Sequence, residues 1–202
     1  MVAKMEAKTG PPARAPGRPR NPETEARILE VTLAKLAEQG YARMSIDEIA
    51  LESGASKPTV YRRWANKADL ATAALRTLQL TEPPVNTGST ASDLAGILRN
   101  FRRGLLRPNG LALIGTVLAE EAHTPELLTF FRERIVAPRR RMLRSVLERA
   151  RQKGELKPGV NLDAAVNLLV GAFYAHYLAD PKIPAGYPAQ VVAMVWEGIG
   201  RE

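Results

Sequence analysis

Two short helix signals with only two residues between them constrain the fold of this chain more than any other feature. Ser45 is followed by Glu48 three residues later, the capping-box pattern of a helix N-terminus, and this helix is predicted to end at Gly54. Gly54 and Ala55 then separate it from Ser56, the predicted cap of the next helix. Two short helices joined by a tight glycine turn form a helix-turn-helix.

The second of these helices mixes a proline, aromatic residues and arginines in the sequence SKPTVYRRW. Pro58 falls in the first turn, where the N–H that it lacks would have no intrahelical partner. Val60 and Trp64 are one turn apart and are predicted to anchor one face in a small core. Pro58 and Arg62 share the opposite face, which would offer hydrogen-bond donors and flat apolar surface to base edges in a DNA major groove.

Helix signals also flank this unit. Asn21–Pro22 predicts the cap and first position of a helix that runs to about Gln39 and stops at Gly40. Asn66 predicts the cap of a further helix, whose first residue is Lys67. Because a cation is slightly unfavourable at a helix N-terminus, we expect Lys67 to share that place with a DNA phosphate. A solvated surface lysine is the alternative.

The rest of the chain has helical periodicity and no alternating strand pattern of useful length, which predicts an all-α fold. A loop is predicted over 81–90, and helices over 91–106, 111–122, 125–153 with a kink at Pro138, 163–178 and 189–199.

The last two predicted helices, 163–178 and 189–199, are apolar on nearly all sides. Such helices must be buried on two sides, and the core of a small domain covers only one. Two of them from each of two subunits would form a four-helix interface, so a homodimer is predicted, with Phe173 and Val195 at the interface. The alternative is that both are core helices of a monomer.

Charge and residue usage narrow the function. With 29 Lys and Arg against 21 Asp and Glu, the net charge of +8 favours an anionic partner such as nucleic acid. The sequence has no cysteine, and its two histidines, His123 and His176, lie in no metalloprotease or phosphate-loop pattern. We therefore expect no enzyme activity, no catalytic residue, no metal and no cofactor. No signal peptide and no segment of about 20 apolar residues is evident, so a cytoplasmic protein without membrane contact is predicted.

The tract SIDEIALESGASKPTVYRRWANKADL, residues 45–70, resembles the DNA-binding unit of the TetR family of bacterial regulators. The remainder resembles the family's variable C-terminal domain in helical layout, and PELLTFFRERIVAPRRRMLRSVLERARQKGEL is similar to a subgroup of those domains. The resemblance implies an all-helical homodimer that binds double-stranded operator DNA and is usually released by a small-molecule effector. An architectural DNA-binding dimer without an effector is the alternative.

Residues 1–20 are rich in Ala, Pro, Gly and Arg and cannot bury apolar surface, so they are expected to be disordered. The resemblance implies the roles of the other segments and of individual residues. The expected domains are a disordered basic arm over 1–20, a three-helix helix-turn-helix DNA-binding domain over 21–67, and a C-terminal helical ligand-binding and dimerisation domain over 68–202. Phosphates are expected at Ser45, Tyr61 and Lys67, and bases or nearby backbone at Lys57, Pro58, Thr59 and either Arg62 or Arg63, with Ser56 at the same helix start. Candidate ligand-binding residues are Leu78, Leu113, Val117, Phe173 and Tyr177, although an ordinary core position is the favoured interpretation of each.

The N-terminal arm contains a separate motif. Its segment PGRPR, residues 16–20, resembles the core of an AT-hook, in which an extended segment lies in a narrow A·T minor groove. Arg18 and Arg20 would then contact DNA. A solvated basic tail is the alternative.

Overall fold

The helix signals of the sequence correspond to helices in the structure, a computed structural model that describes residues 22–78 and 86–201. The helices are α1 (Pro22–Arg43), α2 (Ile46–Ser53), α3 (Lys57–Tyr61), α4 (Lys67–Arg76), α5 (Thr90–Leu105), α6 (Gly110–Ala119), α7 (Pro125–Phe131), α8 (Ala137–Gln152), α9 (Leu162–Ala179) and α10 (Tyr187–Ile199). The predicted all-α class is confirmed. The predicted arm over 1–20 with Arg18 and Arg20, the predicted cap Asn21 and residues 81–85 of the predicted loop lie outside the described residues.

The first helix is longer than predicted. Gly40 adopts φ 77° and kinks the helix as expected, but a further helical turn carries α1 on to Arg43. On its inner face Ile28 is completely buried. Thr32 is buried beside it, and its hydroxyl is satisfied because it donates to the Ile28 carbonyl oxygen at 2.7 Å.

One hydrophobic core joins α1–α4 to α6 and α7. Its buried members include Ile28, Leu36, Ile49, Val60, Trp64, Leu70, Leu75, Leu113, Val117, Leu127 and Phe131. The Thr116 hydroxyl also donates to the Leu36 carbonyl oxygen at 3.0 Å and links α6 to α1. The domain boundary predicted after residue 67 falls at the start of α4, whose Leu70 and Leu75 pack with the first three helices.

The predicted kink at Pro138 takes the form of a π-helical turn. Arg132–Val136 is π-helical and lies between α7 and α8, and the Ala137 N–H donates to the Arg132 carbonyl oxygen. Pro138 has no N–H and its ring crowds the preceding turn, so the wider π turn accommodates it without ending the helical segment.

A second core joins α5, α8, α9 and α10. Phe173 is fully buried there and packs edge-to-face on Phe101 at 5.3 Å and on Tyr187 at 5.2 Å between ring centroids. The expectation that Phe173 faces a partner subunit is therefore wrong, because its own chain covers it. Val195 is half-buried against the same core.

A buried carboxylate holds the start of α5 to α8. Asp93 accepts hydrogen bonds from the Thr87 N–H at 2.8 Å and hydroxyl at 2.7 Å, and from Arg149 Nη2 at 3.1 Å. Burial alone would raise the pKa of Asp93, but these bonds outweigh it and lower the pKa below its ordinary value.

The outer face of α9 is apolar and exposed. Ala164, Leu168, Gly171, Ala175 and Leu178 recur at helical spacing on this face, which is called the apolar stripe below. Leu168 is 61% exposed, Leu178 is 84% exposed, and Met194 on the neighbouring α10 is 75% exposed.

The length of α9 corrects one sequence expectation. Among the described residues, Leu162–Ala179 is the one helix that is long and apolar enough to cross a membrane. It has 18 residues and a mean hydropathy of 1.2, and 28% of it is buried. The prediction that no segment approaches that length is therefore wrong. A single such helix is weak evidence for a membrane span, since helices of soluble proteins pass the same test.

Candidate DNA-binding surface and ligand cavity

The turn between α2 and α3 has the geometry that its sequence predicts. Ser45 caps α2, and its Oγ accepts from the Asp47 N–H at 3.2 Å. Gly54 ends α2 at φ 70°, and its N–H donates to carbonyl oxygens of the last turn. Glycine reaches this left-handed conformation without steric cost, so the chain turns sharply and α3 begins at Lys57.

One face of α3 is anchored in the first core. Val60 is completely buried and Trp64 is 9% exposed, as their spacing predicts. The helix α3 is shorter than predicted, because it ends at Tyr61 and Trp64 follows it. The Trp64 N–H still donates to the Val60 carbonyl oxygen at 3.0 Å, so the two side chains share one face, and the orientation of this five-residue helix depends on both. Replacing a buried tryptophan by alanine costs about 3–5 kcal/mol, so Trp64 fixes the direction in which the opposite face points.

The opposite face of α3 is open to solvent. Lys57, Pro58, Tyr61 and Arg62 are all exposed, and Tyr61 is 51% exposed. The Lys57 ammonium lies 2.6 Å from a carboxylate oxygen of Asp47 on α2. Both side chains are more than half exposed, so this ion pair is weak and a DNA phosphate can compete for the ammonium.

The start of α3 differs in detail from the prediction. Ser56 occupies the N-cap position, but its side chain accepts no hydrogen bond from the helix backbone. Its hydroxyl instead pairs with the Thr59 hydroxyl at 2.9 Å. The half-buried Thr59 is therefore held at the edge of the exposed face.

The two adjacent arginines have different surroundings. The Arg63 side chain is only 12% exposed, lies 3.5 Å from Glu25 of α1 and donates from Nη1 to the Thr59 carbonyl oxygen at 3.4 Å. Arg62 is exposed, as is its neighbour Tyr61. Of the two alternatives from the sequence, Arg62 is the one whose guanidinium can reach a groove without leaving a partner among residues 22–78 and 86–201.

Lys67 is less exposed than a solvated surface lysine. Its ammonium donates to the Ala42 carbonyl oxygen at 3.0 Å and lies 4.6 Å from the centre of the Tyr41 ring. An ammonium has three donors, so the bond to Ala42 leaves donors for a phosphate at the N-terminus of α4.

The Tyr41 ring beside Lys67 has an uncharged phenol at physiological pH. Burial is the main cause that raises the pKa of Tyr41, and nearby carboxylates such as Glu120 raise it further.

Arg43 is a further cation near the start of α2 that the sequence prediction did not include. This exposed arginine ends α1 and lies two residues before Ser45, and its Nε donates to the Gln39 carbonyl oxygen at 3.1 Å. The prediction stopped α1 at Gly40, which removed the turn that carries Tyr41 and Arg43. A cation this close in the chain to the start of α2 was the available signal.

A cavity of about 440 Å³ lies between α1, α4 and the helices α5–α8. Its walls are mostly apolar, with Leu33 and Ala34 from α1, Leu78 after α4, Pro108 from the turn between α5 and α6, and Phe101, Leu105, Leu113, Ile114, Phe131 and Ile135 from the later helical segments. The charged residues that line it are Glu30, Arg107 and Arg139. Because α1 and the residues directly after α4 form part of the wall, a molecule in the cavity would touch α1 and the end of α4, which pack with α3 in the first core.

The predicted pocket residues divide into two groups. Leu78 and Leu113 line this cavity. The other three do not: Val117 is buried in the first core, Phe173 is buried in the second, and Tyr177 packs against the second core. Within residues 22–78 and 86–201, no group of three His, Cys, Asp or Glu side chains is placed to hold a metal ion.

Comparison with known proteins matches both halves of the chain. The family described as "Bacterial regulatory proteins, tetR family" matches residues 28–74, and the family "Tetracyclin repressor-like, C-terminal domain" matches residues 84–195. The chain is 29% identical to the HTH-type transcriptional regulator YdeS of Bacillus subtilis, covering 91% of this chain and 93% of YdeS.

Two further proteins support the match. The chain is 33% identical to the DNA-binding transcriptional repressor TetR of Mycobacteroides abscessus, covering 68% of this chain and 72% of that protein. The crystal structure of MexZ, a key repressor responsible for antibiotic resistance in Pseudomonas aeruginosa, superposes with a TM-score of 0.71 at 19% identity, covering 88% of this chain and 95% of MexZ. At that identity the superposition shows a shared fold.

Proposed function

Because this chain belongs to the TetR family of transcription regulators, we propose that it is a cytoplasmic repressor that binds operator DNA as a homodimer and leaves it when a small organic molecule fills the cavity. The observation that carries the DNA-binding half is the exposed face of α3, which Val60 and Trp64 support from below. The observation that carries the ligand half is the cavity bordered by α1 and α4.

On DNA, α3 lies in the major groove with its exposed face toward the bases. Arg62 donates to a base edge, and Lys57, Pro58 and Thr59 contact bases or the backbone beside them. Ser56 stands at the start of the same helix and belongs to the contact surface.

Phosphate contacts fix the orientation of α3. Ser45 and Arg43 approach one phosphate from the start of α2, and Tyr61 and Lys67 hold others. In the arm, Arg18 and Arg20 follow the adjacent minor groove where it is narrow and A·T-rich.

The homodimer forms through the apolar stripe of α9 and the exposed face of α10. Leu168, Leu178 and Met194 are large apolar residues that their own chain leaves exposed, and a second copy of the same surface would cover them. In the dimer on DNA, the two α3 helices sit about 34–36 Å apart, one turn of the duplex.

The cavity links the ligand to this spacing. A ligand shifts the equilibrium only by as much as it prefers one state, so it must bind better when α3 is out of register with the grooves. Leu78 follows α4 into the cavity wall, and Lys67 begins the same helix at the DNA surface. A displacement of α4 by the ligand therefore moves a DNA contact directly. An architectural dimer without an effector would need no such cavity.

Footprinting on the DNA that flanks the protein's own gene tests the proposal. The expected result is a protected, two-fold symmetric site whose half-sites lie about 10–10.5 base pairs apart, or a multiple of that spacing. Uniform coating of the DNA without a preferred site would favour the architectural alternative. Normal protection that no small molecule ever reduces would leave DNA binding in place and overturn the ligand-responsive half.

A further inference from the structure

We infer that the cavity takes an apolar organic carboxylate, and that Arg139 binds its acid group. The inference rests on the proposed function, which makes the cavity the effector site. It names the chemical class of a ligand that the family leaves open.

The apolar part of the ligand follows from the walls. Leu33, Leu78 and Ile114 are half-buried and give the cavity its accessible apolar wall. Phe101 is 1% exposed and Phe131 is 7% exposed, so the core holds both rings in place and they present little surface to a ligand. A volume of about 440 Å³ falls in the range of small-molecule sites.

The acid group follows from the charges on the wall. Two cations and one acid line the cavity, and Glu30 and Arg107 are exposed, whereas Arg139 is half-buried. An ionic hydrogen bond is stronger where water is partly excluded, so Arg139 has the largest influence on which ligand binds. Glu30 at the solvent side of α1 is exposed and its charge is screened by water.

The geometry of Arg139 suits a carboxylate. Its guanidinium carbon lies 4.8 Å from the centre of the Phe101 ring. A guanidinium has five N–H donors in a planar fork, so Arg139 can bind the two oxygens of a carboxylate while it keeps its other partners. The charges of Glu30, Arg107 and Arg139 sum to +1, which one carboxylate balances.

The test compares each acid with its neutral amide. We would measure binding of 4-phenylbutyrate and 2-naphthylacetate, and of 4-phenylbutanamide and 2-naphthylacetamide, by isothermal titration calorimetry with the full chain. At least one acid is expected to bind about tenfold or more tightly than its amide. Arg139→Gln should bring the affinity for each acid down to that for its amide, because the glutamine side chain can still form hydrogen bonds but carries no charge. Arg141→Gln is the matched control, since Arg141 is exposed on the same helix and does not line the cavity.

Amides that bind as tightly as the acids, or no binding by any of the four compounds, would overturn the inference. If Arg139→Gln fails to fold, as judged by its thermal unfolding, Arg139→Lys decides the question. The lysine keeps the charge but lacks the planar fork, so the affinity for the acids should fall while the affinity for the amides stays the same. Unchanged affinity for the acids would overturn the role of Arg139. Operator binding without ligand is measured separately. An acid that binds through Arg139 but leaves the DNA complex intact would contradict the release mechanism and not the ligand class.

Discussion

The different surroundings of the two adjacent arginines give the sharpest prediction. Arg62→Ala should change which bases are preferred, whereas Arg63→Ala should change the stability of the fold. Arg62 is exposed in the free protein, so its removal leaves the core intact. A bidentate contact to a base edge contributes about 1–3 kcal/mol of discrimination, so affinity for the operator should fall roughly 5- to 150-fold while binding to unrelated duplexes changes much less.

Arg63→Ala is expected to lower the stability of the fold and to leave the base preference unchanged. Its side chain is 12% exposed and that of its partner Glu25 is 48% exposed, so the ion pair itself contributes no more than about 1 kcal/mol. Loss of the packed aliphatic stem adds to this cost. The operator sequence that Arg63→Ala prefers should remain that of the wild type.

Fluorescence anisotropy with the footprinted operator, and with duplexes that carry single base changes, separates the two effects. Thermal unfolding is measured on both variants, and Arg141→Ala serves as the control because Arg141 is exposed on α8 in the C-terminal half. If Arg63→Ala relaxed the base preference while Arg62→Ala left it unchanged, the assignment of the reading arginine would be reversed.

Four further predictions concern other parts of the molecule. Lys67→Ala should weaken binding to all duplexes alike and lower the salt slope by about 1, because a phosphate contact carries no sequence information; an unchanged slope in titrations at several salt concentrations would refute this. Deleting residues 1–20 should reduce affinity most where A·T pairs flank the site, and equal binding by both forms at low and high salt would reduce the arm to a solubilising tail. Leu168→Glu should give a folded monomer in light scattering, because the dimer would bury one added carboxylate from each subunit in an apolar interface. A dimer of unchanged mass would place the interface elsewhere. Asp93 should stabilise the fold above the unfolded pKa of about 3.9 and lose this contribution as pH falls through its lowered native pKa, so Asp93→Asn should flatten the acid limb of a stability–pH curve.

The sequence predicted best where local rules act alone. Gly54, Asn66 and the buried pair Val60 and Trp64 take the conformations and positions that capping and helical spacing require. Each depends on backbone geometry within a few residues, which single-sequence reasoning captures. The residue classes of the exposed α3 face follow from the same spacing.

The wrong or undecided predictions concern contacts between residues that are far apart in the sequence. Nothing within a few residues of Arg63 shows that Glu25 of α1 lies beside it, so the sequence could not separate it from Arg62. Phe173 was expected at an interface because its helix is apolar all round, but Phe101 and Tyr187 occupy that side of the helix. Periodicity shows that a face is apolar, whereas only the packed structure shows which neighbour covers it.

The distribution of charge along the chain predicts that the N-terminal arm contributes to DNA affinity. The net charge of +8 suggested an anionic partner such as nucleic acid, yet residues 22–78, which include the helix-turn-helix, contain as many acidic as basic side chains. Lys57 illustrates the consequence, because Asp47 already lies 2.6 Å from its ammonium. The arm has Lys4, Lys8, Arg14, Arg18 and Arg20 against the single acid Glu6, and the remaining excess of positive charge lies in the C-terminal half. Affinity that depends on released counterions requires uncompensated cations close to phosphates. On this chain those cations are concentrated in the arm, so the arm should provide most of the salt-dependent attraction while α3 provides the base preference.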